Sequence, residues 1–383
     1  MSGNQHGGNI YEFSAAHQVD EKHVLDFSAN INPLGMSPLG RRALERSWEQ
    51  CIHYPDIHNK GLLTALSTHL SLPAENILVG NGAAELLYGL MASLVNSTVY
   101  VPAPGFSEYE KGARAFNKNV VSYRKQIDST GRSMDASMER AATFAERIID
   151  ASTGSVVDGS LLIMGNPNNP DGSLIDPDEL DGIISKWKSY NSFVLVDESF
   201  IEFTDESHSA RPLLKKYDNL LILHSLTKFY AVPGLRLGAL LGAPALLEQV
   251  KQVLPAWSVN RAAQIYGEAA LADKEYIEAS KVFIQKEKQR FSNALMELPF
   301  LQVVQPTVNF ILVRWLPESP DLQALTAFLN RRYIMIRNCE AYEGLGTGWF
   351  RIAVKREEEN DMLLTQVKEF ADEHNLFSST WSD

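Results

Sequence analysis

One lysine of this chain stands in a setting suited to covalent chemistry: Ser225-Leu226-Thr227-Lys228-Phe229-Tyr230-Ala231-Val232-Pro233-Gly234-Leu235-Arg236. The apolar run from Leu220 to Leu223 leads into small hydroxyl residues, then the lysine, then an arginine eight positions on. Apolar surroundings push an ammonium toward its neutral form, and a neutral amine can attack an aldehyde to give an imine. Ser225, Thr227 and Arg236 offer the hydroxyls and the guanidinium fork that could bind one phosphate between them. An imine-forming lysine beside a phosphate clamp is what pyridoxal phosphate requires. A surface charge at a strand end is the plainer reading of any one lysine, but three upstream segments supply the rest of the same site.

In Phe193-Val194-Leu195-Val196-Asp197-Glu198, four apolar residues read as a buried strand of a parallel sheet. The acid falls at the C-terminal end, where α/β proteins place their sites. Asp197 there can face a pyridine nitrogen, keep it protonated and make the ring an electron sink. Standing alone, such an acid is more often a helix cap or an ion-pair partner. In Leu161-Leu162-Ile163-Met164-Gly165-Asn166-Pro167-Asn168-Asn169-Pro170-Asp171-Gly172 a second buried strand breaks into a turn dense in Asn, Pro and Gly. Its end would bring the Asn169 amide to the cofactor's 3′ oxygen. In Asn76-Ile77-Leu78-Val79-Gly80-Asn81-Gly82-Ala83-Ala84-Glu85 a strand, a glycine turn and a helix start follow directly. Free N–H groups at a helix N-terminus attract anions, so Gly82, Ala83 and Ala84 are candidates for the cofactor phosphate. The spacing matches neither the Walker pattern nor the dinucleotide fingerprint.

On these segments the chain resembles fold-type I PLP enzymes of the class I/II aminotransferase superfamily, from residue 6 to about residue 355. The resemblance implies an α/β fold: a large domain with a mainly parallel seven-stranded sheet, plus a smaller α+β C-terminal domain. It implies that Lys228 forms the imine, Asp197 pairs with the pyridine nitrogen and Asn169 holds the 3′ oxygen. Phe106, in Pro104-Gly105-Phe106-Ser107-Glu108-Tyr109, would stack on the ring, while Ala83, Ala84, Ser225, Thr227 and Arg236 bind the phosphate. Tyr54, in His53-Tyr54-Pro55-Asp56, would reach the phosphate of a neighbouring subunit, making the active site a product of a homodimer. The opening His6-Gly7-Gly8-Asn9, the stretch Asp26-Phe27-Ser28-Ala29-Asn30-Ile31-Asn32-Pro33-Leu34-Gly35 and Trp257-Ser258-Val259-Asn260 are similar to L-threonine-O-3-phosphate decarboxylases of cobalamin biosynthesis. Histidinol-phosphate aminotransferases resemble the chain over the core but normally lack the His-Gly-Gly-Asn opening. Two positions depart from the wider pattern. His224 stands where this superfamily commonly carries arginine, and Phe200 replaces a frequent tyrosine, as it does in the decarboxylases.

Two arginines decide which reaction follows. A PLP enzyme cleaves the Cα bond that stands perpendicular to the ring. If Arg351, in Trp349-Phe350-Arg351-Ile352-Ala353, held the substrate's α-carboxylate near the ring plane, the Cα–H bond would break and transamination would follow. If Arg351 and Arg337, with His6 and Asn32, grip a substrate phosphate instead, the carboxylate can swing out of plane and leave as carbon dioxide. The expected arrangement is the second, with a small phosphorylated amino acid as substrate and Lys228 returning a proton to Cα. Whether that substrate is phosphothreonine or phosphoserine turns on one methyl group.

Composition agrees with a metabolic enzyme. The chain has 383 residues, enough for more than one domain, and a net charge of −12 that disfavours nucleic acid or an anionic membrane as partner. Cys51 and Cys339 make no disulfide framework and have no metal-ligand spacing; the first ten residues are polar and resemble no secretory signal, so a cytoplasmic location is expected. The pattern predicts an N-terminal arm over 1–45 that joins the small domain and the dimer interface, a PLP-binding domain over 46–270 and a small domain over 271–383. Strands are expected near 77–80, 98–102, 120–123, 161–164, 193–197, 220–224 and 236–241, then 308–314, 333–337 and 349–354. Helices are expected near 61–71, 83–95, 106–116, 136–149 and 178–190, with a mostly helical span from 244 to about 289. The polar segment 128–159 reads as a surface insertion, and the tail after Glu373 as frayed.

Overall fold

The computed structural model describes residues 7–94, 98–124 and 157–378. At its centre lies a seven-stranded sheet in the order β2-β8-β7-β6-β5-β3-β4: β2 Ile77–Gly80, β3 Thr98–Ala103, β4 Asn119–Arg124, β5 Leu161–Gly165, β6 Phe193–Asp197, β7 Leu220–Ser225 and β8 Gly238–Gly242. Six strands run in one direction, and β8 alone is antiparallel to its neighbours. The central strands are apolar on both faces because helices cover both. Leu162, Met164, Val194, Val196, Leu220 and Ile222 pack toward the helices Lys60–Leu70, Pro177–Lys188 and Arg261–Leu271. Leu161, Ile163, Leu195, Leu221 and Leu223 pack the other way, toward Ala83–Ser93, Glu108–Ala115 and Pro244–Lys251.

Register gathers the strand ends that carry chemistry. Gly165 stands beside Asp197, and Asp197 beside Leu223, two residues before Ser225. The turn after β5, the last residue of β6 and the last residue of β7 therefore open on one edge.

The C-terminal unit holds a second, antiparallel sheet in the order β12-β13-β10-β9: β9 Leu301–Val303, β10 Phe310–Trp315, β12 Arg337–Asn338 and β13 Trp349–Ala353. The 23-residue helix Lys274–Met296 leads into it. The stretch expected as one strand over 333–337 is split. Ile334–Met335 (β11) pairs in parallel with Leu25–Asp26 (β1), while Arg337–Asn338 pairs with β13. Two partners compete for one short segment, and the chain serves both. The N-terminal arm is thus stitched to the C-terminal unit, with Phe27 also accepting from the Ala353 amide at 2.8 Å.

Other expectations shift at their edges. The helix expected from 106 begins at Glu108, which leaves Phe106 on the loop before it. The tail after Glu373 is not frayed over its described part, since Leu376 is buried and Phe377 sits edge-on to Phe300 at 5.2 Å. The helix expected over 136–149 and nearly all of the 128–159 insertion lie outside the described residues. No described helix is long and apolar enough to cross a membrane.

Candidate active site

A cavity of about 280 Å³ opens at the gathered strand ends, with Lys228 among the residues that line it. The Lys228 amine lies 5.1 Å from the centre of the Phe200 ring. Burial pushes its pKa down to about 8; Asp197 opposes that shift, while Arg236 and Arg351 add to it. A substantial fraction of this amine is therefore neutral near physiological pH, as a nucleophile must be.

Asp197 forms the wall opposite and is held from two sides. Oδ1 accepts from the Ser199 amide at 2.9 Å and Oδ2 from the Tyr109 hydroxyl at 2.7 Å. Burial, followed by the charge of Asp197, keeps the Tyr109 phenol far above its ordinary range, so it remains a donor. Tyr109 also meets Phe106 edge-on at 5.6 Å. Sequence reasoning passed over Tyr109, although it lies three residues beyond Phe106 in a quoted segment and at the start of the helix.

The phosphate end is shaped by what glycine omits. The helix Ala83–Ser93 has Gly82 at its N-cap with no side-chain cap, so its first amides keep free donors. Gly82 has φ +83°, and a Cβ there would stand 2.7 Å from Arg236 Nη2. Only glycine lets the guanidinium come this close to the helix N-terminus. Ser225 and Thr227 share a hydrogen bond of 2.9 Å between their hydroxyls and line the same end with Ala83 and Ala84. Helix amides, two hydroxyls and a guanidinium make a cradle for a phosphate dianion. With an amine, a carboxylate and an aromatic ring at the other end, these residues fit pyridoxal phosphate.

The remaining candidates separate. Arg351 is 5 % exposed; it donates through Nη1 to Asn169 Oδ1 and through Nη2 to the Ser28 carbonyl at 3.1 Å. Asn30, with its amide turned to satisfy both groups, also accepts from Arg351 at 3.3 Å. Arg337 pairs directly with Arg351 across β12 and β13, so the two side chains project from one face. Arg337 lines a second cavity of about 500 Å³ that meets the first at Phe106. Asn32 does not line either cavity. The residue is 2 % exposed; its two amide N–H groups are shared among the Phe229 carbonyl, the Tyr276 hydroxyl and the Ser280 hydroxyl, all within 3.0 Å, while its oxygen accepts from the Leu34 amide. The structure does not bring Asn32 to the cavities: both ends of its amide are engaged in holding the arm. His6 lies outside the described residues; its neighbour Gly7 lines the first cavity. Tyr54 is 80 % exposed, beside Trp257 at 4.8 Å, and does not reach the cavity of its own chain.

The description "Aminotransferase class I and II" belongs to the family model that matches residues 22–367. The chain belongs to this family. Among curated members related to this aminotransferase-family chain, it is 36% identical over 365 residues to the threonine-phosphate decarboxylase of Salmonella typhimurium, covering 95% of each. It is 31% identical to the adenosylcobalamin biosynthesis bifunctional protein CobDQ of Leptospira interrogans, over 94% of this chain and 40% of that one. Among solved structures, the histidinol-phosphate aminotransferase of Clostridium acetobutylicum superposes with a TM-score of 0.80 at 29% identity, covering 91% of this chain and all of that one.

Proposed function

We propose that this chain decarboxylates L-threonine O-3-phosphate to (R)-1-amino-2-propanol O-2-phosphate, using pyridoxal phosphate at Lys228, toward the nucleotide loop of cobalamin. When bound, the cofactor supplies an electron sink for the charge left on the substrate's α-carbon. The residues of the chain do the rest. Asp197, fixed by Ser199 and Tyr109, would pair with the ring nitrogen and keep it protonated. Ala83, Ala84, Ser225, Thr227 and Arg236, which line the cavity, would hold the phosphate, Asn169 the 3′ oxygen, and Phe106 would cover the ring. Lys228 would hold a proton at its amine and return it to Cα.

The observation that carries the reading is the pairing of Arg337 with Arg351 on one face of β12 and β13, with Arg337 lining the cavity that shares Phe106 with the first. Two guanidinium forks on one face match a phosphate with its several acceptor oxygens better than a single carboxylate. With both spent on the substrate phosphate, neither guanidinium would be left to hold the carboxylate in the ring plane. It leaves as carbon dioxide. The likeness to the Salmonella decarboxylase supports the same assignment.

Tyr54 acts in this reading across a cytoplasmic homodimer, reaching the neighbour's cofactor phosphate. Exposed Trp48, Ile52 and Ile57 around it supply apolar surface for that contact.

A second reading, transamination of histidinol phosphate, is favoured by the superposition on the Clostridium enzyme. The test is a product assay on purified protein with pyridoxal phosphate and L-threonine O-3-phosphate, with no oxo acid added. Carbon dioxide with a phosphorylated amino alcohol is expected. No carbon dioxide, but 2-oxoglutarate from glutamate once an imidazole-acetol phosphate acceptor is present, would replace the first reading with the second. Repeating the assay with phosphoserine sets the substrate, because an apolar pocket separates one methyl by only about 1–3 kcal/mol.

A further inference from the structure

On the face of the large sheet away from the cavity, directly beneath the Lys228 segment, a carboxylate is buried between two histidines. Side chains alternate along β7, so His224 points away from the cavity that Ser225 lines. Glu202 Oε1 lies 2.9 Å from His224 Nε2 and 3.3 Å from His69 Nε2. A carboxylate oxygen only accepts, so both Nε2 atoms carry the hydrogen. Tyr230, two residues past Lys228, sets its hydroxyl 3.4 Å from the same His69 nitrogen. Two atoms, Glu202 Oε2 and His224 Nδ1, are buried without a hydrogen-bond partner among the described residues. With Nδ1 unpartnered, the one hydrogen bond of the His224 ring among the described residues is the one to Glu202.

Of the two histidines His69 is the one solvent can reach, its side chain 17% exposed against 2% for His224. Burial pulls the His69 pKa down, but the bond and charge of Glu202 more than offset it and hold it above the usual histidine value. Glu202, despite its burial, is held far below the usual carboxylate range by the two histidines. The surrounding charges are committed elsewhere. Glu198 accepts from the Ser209 hydroxyl and the Ala210 amide; Glu206 pairs with Arg211 and with Lys281; Tyr276 faces Glu202 as a phenol.

We infer that His69, Glu202 and His224 are positioning residues that seat the Ser225–Tyr230 segment for the cofactor phosphate, and do so while the cluster carries one proton beyond its two neutral imidazoles. The inference rests on the cofactor reading above. With His69 protonated, the buried carboxylate is compensated and anchors β7 and Tyr230 together. When that proton leaves, an unpaired anion remains in the core, and the strand end that presents Ser225 and Thr227 loses its anchor. The sign follows: a histidine with a raised pKa contributes below its unfolded value and stops contributing as pH rises through its folded value.

The test uses pyridoxine 5′-phosphate, which has the ring and the phosphate but no aldehyde, so Lys228 cannot bond to it. Binding to the full chain is measured by calorimetry from pH 6 to pH 9 for the wild type, His224→Arg, His69→Gln and Glu202→Gln. Arginine at 224 places a permanent cation on Glu202 and offers a fork for both of its oxygens. Glutamine at 69 keeps a donor that never charges, and glutamine at 202 removes the buried charge. Lys228 and Arg236 are present in all four proteins, so their contributions cancel. Wild-type affinity is expected to fall roughly tenfold more across this range than that of His224→Arg or Glu202→Gln, a gap of ~1.4 kcal/mol. His69→Gln is expected to bind about tenfold more weakly than the wild type at pH 6 and equally at pH 9. Melting temperatures of the ligand-free proteins over the same range serve as the control for folding. One shared pH profile for binding overturns the inference, even if the melting curves differ, because the cluster is then merely structural. Absence of binding in all four proteins overturns the cofactor reading, and this inference with it.

Discussion

The two ends of the active site are built in different ways. The cofactor end draws on strand ends of one sheet, each followed at once by its own short motif: Gly82-Ala83-Ala84 after β2, Asn169 after β5, Asp197 closing β6, and Ser225 to Lys228 after β7. The proposed substrate end draws on Gly7, Ser28, Asn30, Arg337 and Arg351, which meet only after the arm and the C-terminal unit have come together. A cofactor shared by many chemistries is held by contiguous elements. The part that chooses the reaction is held by contacts between distant ones, where a small change in the arm can change the outcome.

Substitutions at the two ends should therefore fail differently. The largest effect is expected for Lys228→Ala, with turnover falling at least about 10⁴-fold, while the protein still binds pyridoxine phosphate by calorimetry. Arg351→Ala should raise KM on the order of a hundredfold or more, since losing a buried charge-assisted contact costs about 2–5 kcal/mol. Inhibition assays sharpen the contrast: phosphate-only ligands should weaken more than carboxylate-only ones, and the reverse order would move Arg351 to the carboxylate. Capture of pyridoxal phosphate by the ligand-free chain should accelerate by about fiftyfold between pH 6 and pH 8, then by only about twofold more, because an amine with pKa about 8 is already half neutral there. A midpoint near the ordinary lysine value in stopped-flow absorbance would contradict the burial of Lys228. The same lowered pKa makes the ligand-free chain more stable as pH rises from about 8 toward 10.5, where the unfolded chain still binds the extra proton.

Smaller effects separate shape from chemistry. Gly82→Ala forces a backbone at φ +83° and ψ 159° that only glycine adopts readily and crowds Arg236. Cofactor affinity is expected to drop about tenfold, with a stability loss of about 1–3 kcal/mol by urea titration. Asn32→Ala should leave KM within about twofold, yet lower stability by about 1–3 kcal/mol because its buried partners lose their bonds. A large rise in KM with unchanged stability would restore Asn32 to the substrate site.

This division also explains what could be read in advance. Leu161 to Asn169 and Phe193 to Asp197 state strand, end and chemistry within a dozen residues, because a parallel strand buried on both faces must be apolar throughout and its polar end is conspicuous. Arg351 was recognisable by type but not by partner: nothing near it in the chain points to Ser28 or Asn169. Asn32 misled because a polar residue inside a motif looks like a ligand, whereas its three donor contacts lie on segments almost two hundred residues or more away. Tyr109 was overlooked because its phenol matters only through Asp197, 88 residues later. The split of the expected 333–337 strand follows from the same cause, since pairing partners are a tertiary choice.

The pairing of Leu25–Asp26 with Ile334–Met335 has a consequence for how the molecule comes into being. A ribosome delivers the arm first and its partner strand more than three hundred residues later, at ~5–20 residues per second. For tens of seconds of synthesis the arm has no strand to join. The cofactor cradle, complete by Gly238, can form in that interval, while the selective end waits for nearly the last fifty residues. A chain cut short before Arg337 would be expected to acquire the cradle without the substrate grip. Arrested or C-terminally truncated products are then the place to look for cofactor capture uncoupled from selective decarboxylation.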